Sequence, residues 1–115
     1  MYTTTPPGVV QRIVPDFQNA YPRIKVELNR NVTGALISKL TMEKQSAVDG
    51  VDGADVFVST DIAWYQDRAA ENALLPITGP ALGGWPSAYL YRDSVIVGAL
   101  EPIGIVYNSK SSNFR

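Results

Sequence analysis

The fold class this sequence predicts is α/β, a mainly parallel three-layer sandwich. Two observations predict it. Runs with strand periodicity and runs with helix periodicity alternate along the chain, and that order builds a parallel sheet with helices on both faces. Val56-Phe57-Val58, set between Asp55 and Ser59, is a short continuous apolar run of the kind such a sheet buries on both sides.

Each element follows from its residues. Tyr2 to Thr5 is a β-prone run that ends at Pro6-Pro7, because neither proline can donate to a ladder and Pro6 biases Thr5 toward extended geometry. Val9, Val10, Ile13, Val14 and Phe17 then recur at helical spacing, and Pro7 suits a first helical turn, where its missing N–H costs nothing. The spacing predicts a helix to about Ala20, kinked at Pro15, where one backbone bond is lost at a cost of about 3 kcal/mol. Ile24, Val26 and Leu28 alternate with Lys25 and Glu27 as a half-buried second strand would. Asn29 to Thr33 reads as a turn, with the Thr33 hydroxyl capping a helix that carries Leu36, Ile37 and Leu40 to near Gln45.

Residues 46 to 54 read as a loop before the third strand at Val56 to Val58. Asp61 then caps a third helix that runs to about Glu71, and Asn72 suits the left-handed residue after its end. Pro76 to Pro86 holds three prolines and three glycines and predicts an irregular surface segment. Two β runs, Ser94 to Leu100 and Ile103 to Asn108, follow on either side of Glu101-Pro102, and the polar end 109–115 reads as frayed.

Composition narrows the function. With 115 residues, 45% of them hydrophobic, the chain suffices for one core, and a domain of this size buries roughly two thirds of its unfolded surface. The net charge of -1 supplies no field for a phosphate backbone or an anionic membrane, so nucleic acid is not an expected partner. Neither cysteine nor histidine occurs, which excludes Ser-His-Asp and Cys-His catalysis and every His- or thiolate-ligated zinc site. No run approaches the roughly 20 apolar residues of a membrane span, and no basic-then-apolar signal follows Met1. An exported form would carry its signal peptide upstream of this sequence.

In open α/β sheets, ligands bind beyond the carboxyl ends of the strands, where helix N-termini point their free N–H groups. Three places qualify: Thr3, Thr4 and Thr5 after the first strand, Thr33 and Gly34 at the second helix, and Ser59, Thr60 and Asp61 after the third strand. Hydroxyls and backbone donors gathered there suit an anion, or the anion that accompanies a metal. Thr33 and Asp61 equally suit simple capping, and Thr3 to Thr5 ordinary strand roles. The acidic stretch 49–55 lacks both the spacing and the closing glutamate of a calcium loop and reads as a solvated turn. Trp64, Trp85, Tyr89 and Tyr91 could stack on a ligand, although packing is the commoner role for aromatics in so small a domain. Glu27, Glu43 and Glu71 sit at exposed periodic positions with no partner carboxylate for acid/base work.

Four segments carry a family resemblance: FQNAYPRIKVELNRNVTGALISKL from Phe17 to Leu40, ADVFVST from Ala54 to Thr60, NALLP from Asn72 to Pro76, and GIVYNSK from Gly104 to Lys110. In this order and spacing they resemble the extracellular solute-binding proteins of ABC importers, of the type 2 periplasmic class, in the group related to ferric-ion and phosphonate binders. The resemblance spans Tyr2 to Lys110. It implies two α/β lobes joined by crossover strands, with a small solute held between them, delivery to an ABC permease, and a location outside the cytoplasm.

Residues 1–110 would then form lobe one of an incomplete periplasmic-binding-protein fold, and 111–115 a polar tail or the start of a crossover to a second lobe. The resemblance also places ligand contacts at the three loops and at Tyr107 and Asn108. Iron-binding relatives often carry a histidine or an acidic ligand in the first-lobe loops, where this chain has TTTPPG and, after the third strand, Thr60 beside Asp61. Direct ferric binding is therefore not expected, and no metal or cofactor is assigned. A small oxyanion, a phosphonate or a metal–anion complex is the expected ligand, with a small organic cation at Asp61 as second choice. A strand-exchanged homo-oligomer is expected if the sheet lacks a strand from the second lobe. The alternative function is a ligand-sensing regulatory domain of the same fold; an enzyme is not expected.

Overall fold

The computed structural model describes residues 1–46, 53–102, 104–106 and 108. The chain divides into two compact units, Met1–Trp64 and residues 65 onward.

The first unit is built on a three-stranded parallel sheet. Its strands are β1 (Tyr2–Thr3), β2 (Asn29–Arg30) and β3 (Phe57–Val58), in the order β2-β1-β3. Tyr2 and Thr3 pair with Asn29 and Arg30 on one side and with Phe57 and Val58 on the other. Helices α1 (Pro7–Ala20) and α2 (Thr33–Ser46) follow β1 and β2. The α/β class and the parallel sheet are thus present. Pro7 opens α1 as expected, and the helix continues through Pro15 to Ala20, where the Tyr21 N–H bonds the Phe17 carbonyl at 2.9 Å.

The second strand differs from its prediction. The Ile24–Leu28 alternation stays outside the paired strand: the Met1 ammonium bonds the Glu27 carbonyl at 2.7 Å, the Asn29 N–H bonds the Met1 carbonyl at 2.9 Å, and regular pairing starts at Asn29. Ile24 and Leu28 are exposed and Val26 half-buried, so the expected buried face is not formed. A second correction concerns β3. Phe57 is half-buried while Val56 and Val58 are exposed, so this strand is not covered on both faces. An apolar run reports only that a strand can be buried; coverage requires elements packed over it. Residues 47–52, which include most of the acidic stretch, lie outside the described residues.

The core of the first unit is small. Tyr2, Thr3, Val10 and Leu36 are buried, with Leu36 1% exposed and Thr3 not exposed at all. Successive strand residues face opposite sides. The Tyr2 hydroxyl meets Glu43 of α2 at 2.8 and 3.0 Å, which places α2 over the Tyr2 face.

Helix α3 (Ile62–Ala70) starts at the end of the first unit and continues into the second. Its C-terminus is the one expected: Asn72 has φ 54, the Asn72 N–H bonds Ala69 and the Ala73 N–H bonds Arg68, the paired arrangement that satisfies the last helical carbonyls. The proline-rich segment holds two short 3-10 turns, Pro80–Gly84 and Ser87–Tyr89. A hairpin follows, β4 (Leu90–Tyr91) antiparallel to β5 (Val95–Ile96), turning through Arg92 and Asp93 at φ 47 and 55.

Of the predicted run Ser94 to Leu100 only Val95–Ile96 is a strand, and β4 was not anticipated. The second run, Ile103 to Asn108, forms no strand at its described residues; Ile105 and Val106 are 93% and 96% exposed. Apolar β-branched sequence becomes a strand only where another strand's backbone lies alongside.

Candidate functional site

Parallel register decides where the three loops emerge. Because Thr3 is level with Arg30 and Val58, the chain leaves β1, β2 and β3 at one edge of the sheet. The order β2-β1-β3 places the reversal of winding between β1 and β3, and that is where open α/β sheets form their ligand crevice.

The first loop is held by its own hydroxyls. Thr3 Oγ1 accepts the Thr5 N–H at 3.0 Å and donates to Thr5 Oγ1 at 2.8 Å, while the Thr4 N–H bonds the Val58 carbonyl at 2.9 Å. Thr3 is fully buried, so its hydroxyl shapes the loop, whereas Thr4 and Thr5 are half-exposed on it. The second loop ends in α2, whose first residue is Thr33 itself. The cap position falls to Val32, whose carbonyl receives the Leu36 N–H at 3.2 Å, so the expected Thr33 cap is replaced by Thr33 in the first turn. Asn31 Oδ1 accepts the Val32 N–H at 2.9 Å and fixes the entry. A Cβ built on Gly34 would meet nothing within 4 Å, so the start of α2 faces open space.

The third loop holds Ser59, Thr60 and Asp61. Asp61 caps α3 as its position predicts: its Oδ1 accepts the Trp64 N–H at 3.0 Å, and Ser59 Oγ accepts the Asp61 N–H at 3.4 Å. Thr60 is exposed and Asp61 half-buried. Asp61 is the sole carboxylate of the three loops, with one oxygen engaged by α3. Asn108 belongs to the second unit, and Tyr107 lies outside the described residues.

Sequence reasoning missed two features. Arg30, the last residue of β2, sends its Nε–H to the Thr5 carbonyl at 2.8 Å and so joins the rim; its place inside a supposed turn concealed it. Tyr2, Lys39 and Glu43 form a cluster in which Lys39 pairs with Glu43 and lies 5.5 Å over the Tyr2 ring. Glu43 is therefore half-buried and engaged rather than a solvated surface carboxylate. The hydrogen bond from Lys39, aided by Tyr2, holds the Glu43 carboxyl below its usual range; Glu43 raises Lys39 above its own. Burial, then Glu43, pushes the Tyr2 phenol up. The four-residue spacing of Lys39 and Glu43 was the legible part of this signal.

The model of the bacterial extracellular solute-binding protein family matches residues 3–111. The chain belongs to that family. No curated protein and no solved structure matches it.

Family membership makes this solute-binding chain a component of an ABC transport system, from a family that is generally non-enzymatic and works with ABC permeases outside the cytoplasm. No helix among the described residues is long and apolar enough to cross a membrane. The aromatics divide by role. Trp64 packs edge-on against Phe57, ring centres 5.0 Å apart, as a packing residue. Trp85 and Tyr89 line a shallow apolar groove of about 370 Å³ in the second unit with Pro86, Val97 and Leu100, and Arg92 lies over the Tyr91 ring.

Proposed function

We propose that this solute-binding chain supplies one jaw of a two-lobed trap for a small oxyanion, phosphonate or metal–anion complex, in the manner of the group related to ferric-ion and phosphonate binders. Residues 1–110 are lobe one, and 111–115 lead toward a second lobe. The observation that carries this reading is the common rim: one parallel register brings Thr4, Thr5, Thr33, Gly34, Ser59, Thr60 and Asp61 to the carboxyl ends of adjacent strands. Thr3 holds the first loop from beneath.

The chemistry is capture without reaction. Backbone N–H groups in the first turn of α2 carry partial positive charge, and the hydroxyls of Thr5, Ser59 and Thr60 can donate to the same anion. Closure of the second lobe removes the solute from water and presents it to the permease.

A thermal-shift screen of the full-length protein tests this with inorganic phosphate, methylphosphonate, ferric citrate and spermidine. A ligand at a hundred times its Kd stabilises by about 2.7 kcal/mol, and the largest shift is expected from an oxyanion. Gly34→Asp sets a carboxylate in the first turn of α2 and should weaken that binding by at least about tenfold. Undiminished binding by this variant would remove the rim from the site, and a shift with spermidine alone would point to Asp61 and a cation instead.

A further inference from the structure

We infer that Arg30 is the specificity-determining residue of the rim and selects solutes bearing a carboxylate, phosphonate or phosphate group; this rests on the rim reading above. Arg30 ends β2 and stands beside Thr3 in the register, so its side chain rises on the Thr3 side of the sheet at the edge where the loops emerge. The Nε–H bond to the Thr5 carbonyl draws the guanidinium across the end of β1.

That bond fixes the guanidinium plane through Nε alone. Neither Nη1 nor Nη2 has a partner among the described residues, and Arg30 is exposed. An arginine held in this way presents its two-nitrogen edge outward, the arrangement that accepts two oxygens of a planar or tetrahedral anion at once. The charge is also uncompensated. Lys25 and Lys39 of the same unit pair with Glu27 and Glu43, whereas Arg30, like Arg12, Arg23 and Lys44, pairs with no carboxylate among the described residues. Asp61, the one acid of the three loops, already accepts the Trp64 N–H.

The test is calorimetric titration of the full-length protein with inorganic phosphate, methylphosphonate and citrate, comparing the unmodified protein with Arg30→Gln, Arg30→Lys and Thr60→Val. At least one anion should bind the unmodified protein, with affinity falling as salt rises. Arg30→Gln should weaken it about 30-fold, and Arg30→Lys by less, since lysine keeps the charge but not the two-point contact. Because the side chain is exposed, the melting temperature of Arg30→Gln without ligand should be unchanged. If Arg30→Gln binds within about twofold of the unmodified protein while Thr60→Val does not, the Arg30 assignment fails and the rim survives. Binding that neither substitution affects overturns the rim itself, and a protein that binds a neutral solute but none of the three anions overturns the selection of anions by Arg30.

Discussion

At the scale of single residues, the Tyr2–Lys39–Glu43 cluster ties α2 to the central strand, and its protonation behaviour sets a pH window. The folded-state pKa of Glu43 is lowered, so its contribution is complete above its unfolded value of about 4.3 and is lost as pH falls through the folded value. Lys39 and Tyr2 are raised, so theirs are complete below about pH 10 and are lost as pH climbs through the folded values. The clamp should therefore hold across neutral pH and loosen at both ends. Melting temperature followed against pH should show Glu43→Gln flattening the acid side and Tyr2→Phe the alkaline side; unchanged profiles would deny the cluster any role. Gly53 has a part in this: a Cβ there would strike the Glu43 carboxylate, so Gly53→Ala should displace it from Tyr2.

Among the elements, α3 shows how far local chemistry alone can be read. Asp61 at its start and Asn72 beyond its end were both legible because capping depends on residues within a turn of each other. Asp61→Ala should cost about 1 kcal/mol of stability by removing the acceptor for the Trp64 N–H, measurable as a lowered denaturant midpoint with unchanged slope. The strands were less legible. Phe57–Val58 pairs as predicted, but the Ile24–Leu28 alternation leads into a two-residue strand and meets Met1 through the Glu27 carbonyl alone, and Ile105 and Val106 stayed exposed. A strand's hydrogen bonds lie in another segment, so its periodicity states a capacity that a partner has to realise.

For the whole molecule, exposed apolar surface is the prominent property. Val9, Ile13 and Phe17 recur every fourth residue of α1 and are 44%, 57% and 39% exposed, and Leu75 is 87% exposed. Surface of this kind seeks cover. Residues 1–115 expressed alone should bind a hydrophobic dye and self-associate, with strand exchange as the expected mode. Light scattering checks this, and a monomer that leaves the dye dark would count against it. The full-length protein should do neither.

The α/β class, the first and third helices with their ends, and the family were readable from the sequence, because they depend on short-range spacing and on motifs in order. Which strands would pair, that Thr33 starts its helix rather than capping it, that the Thr3 hydroxyl is turned inward, and that Arg30 reaches the first loop were decided by tertiary structure. Those outcomes depend on which distant backbone lies alongside, and no local pattern encodes that.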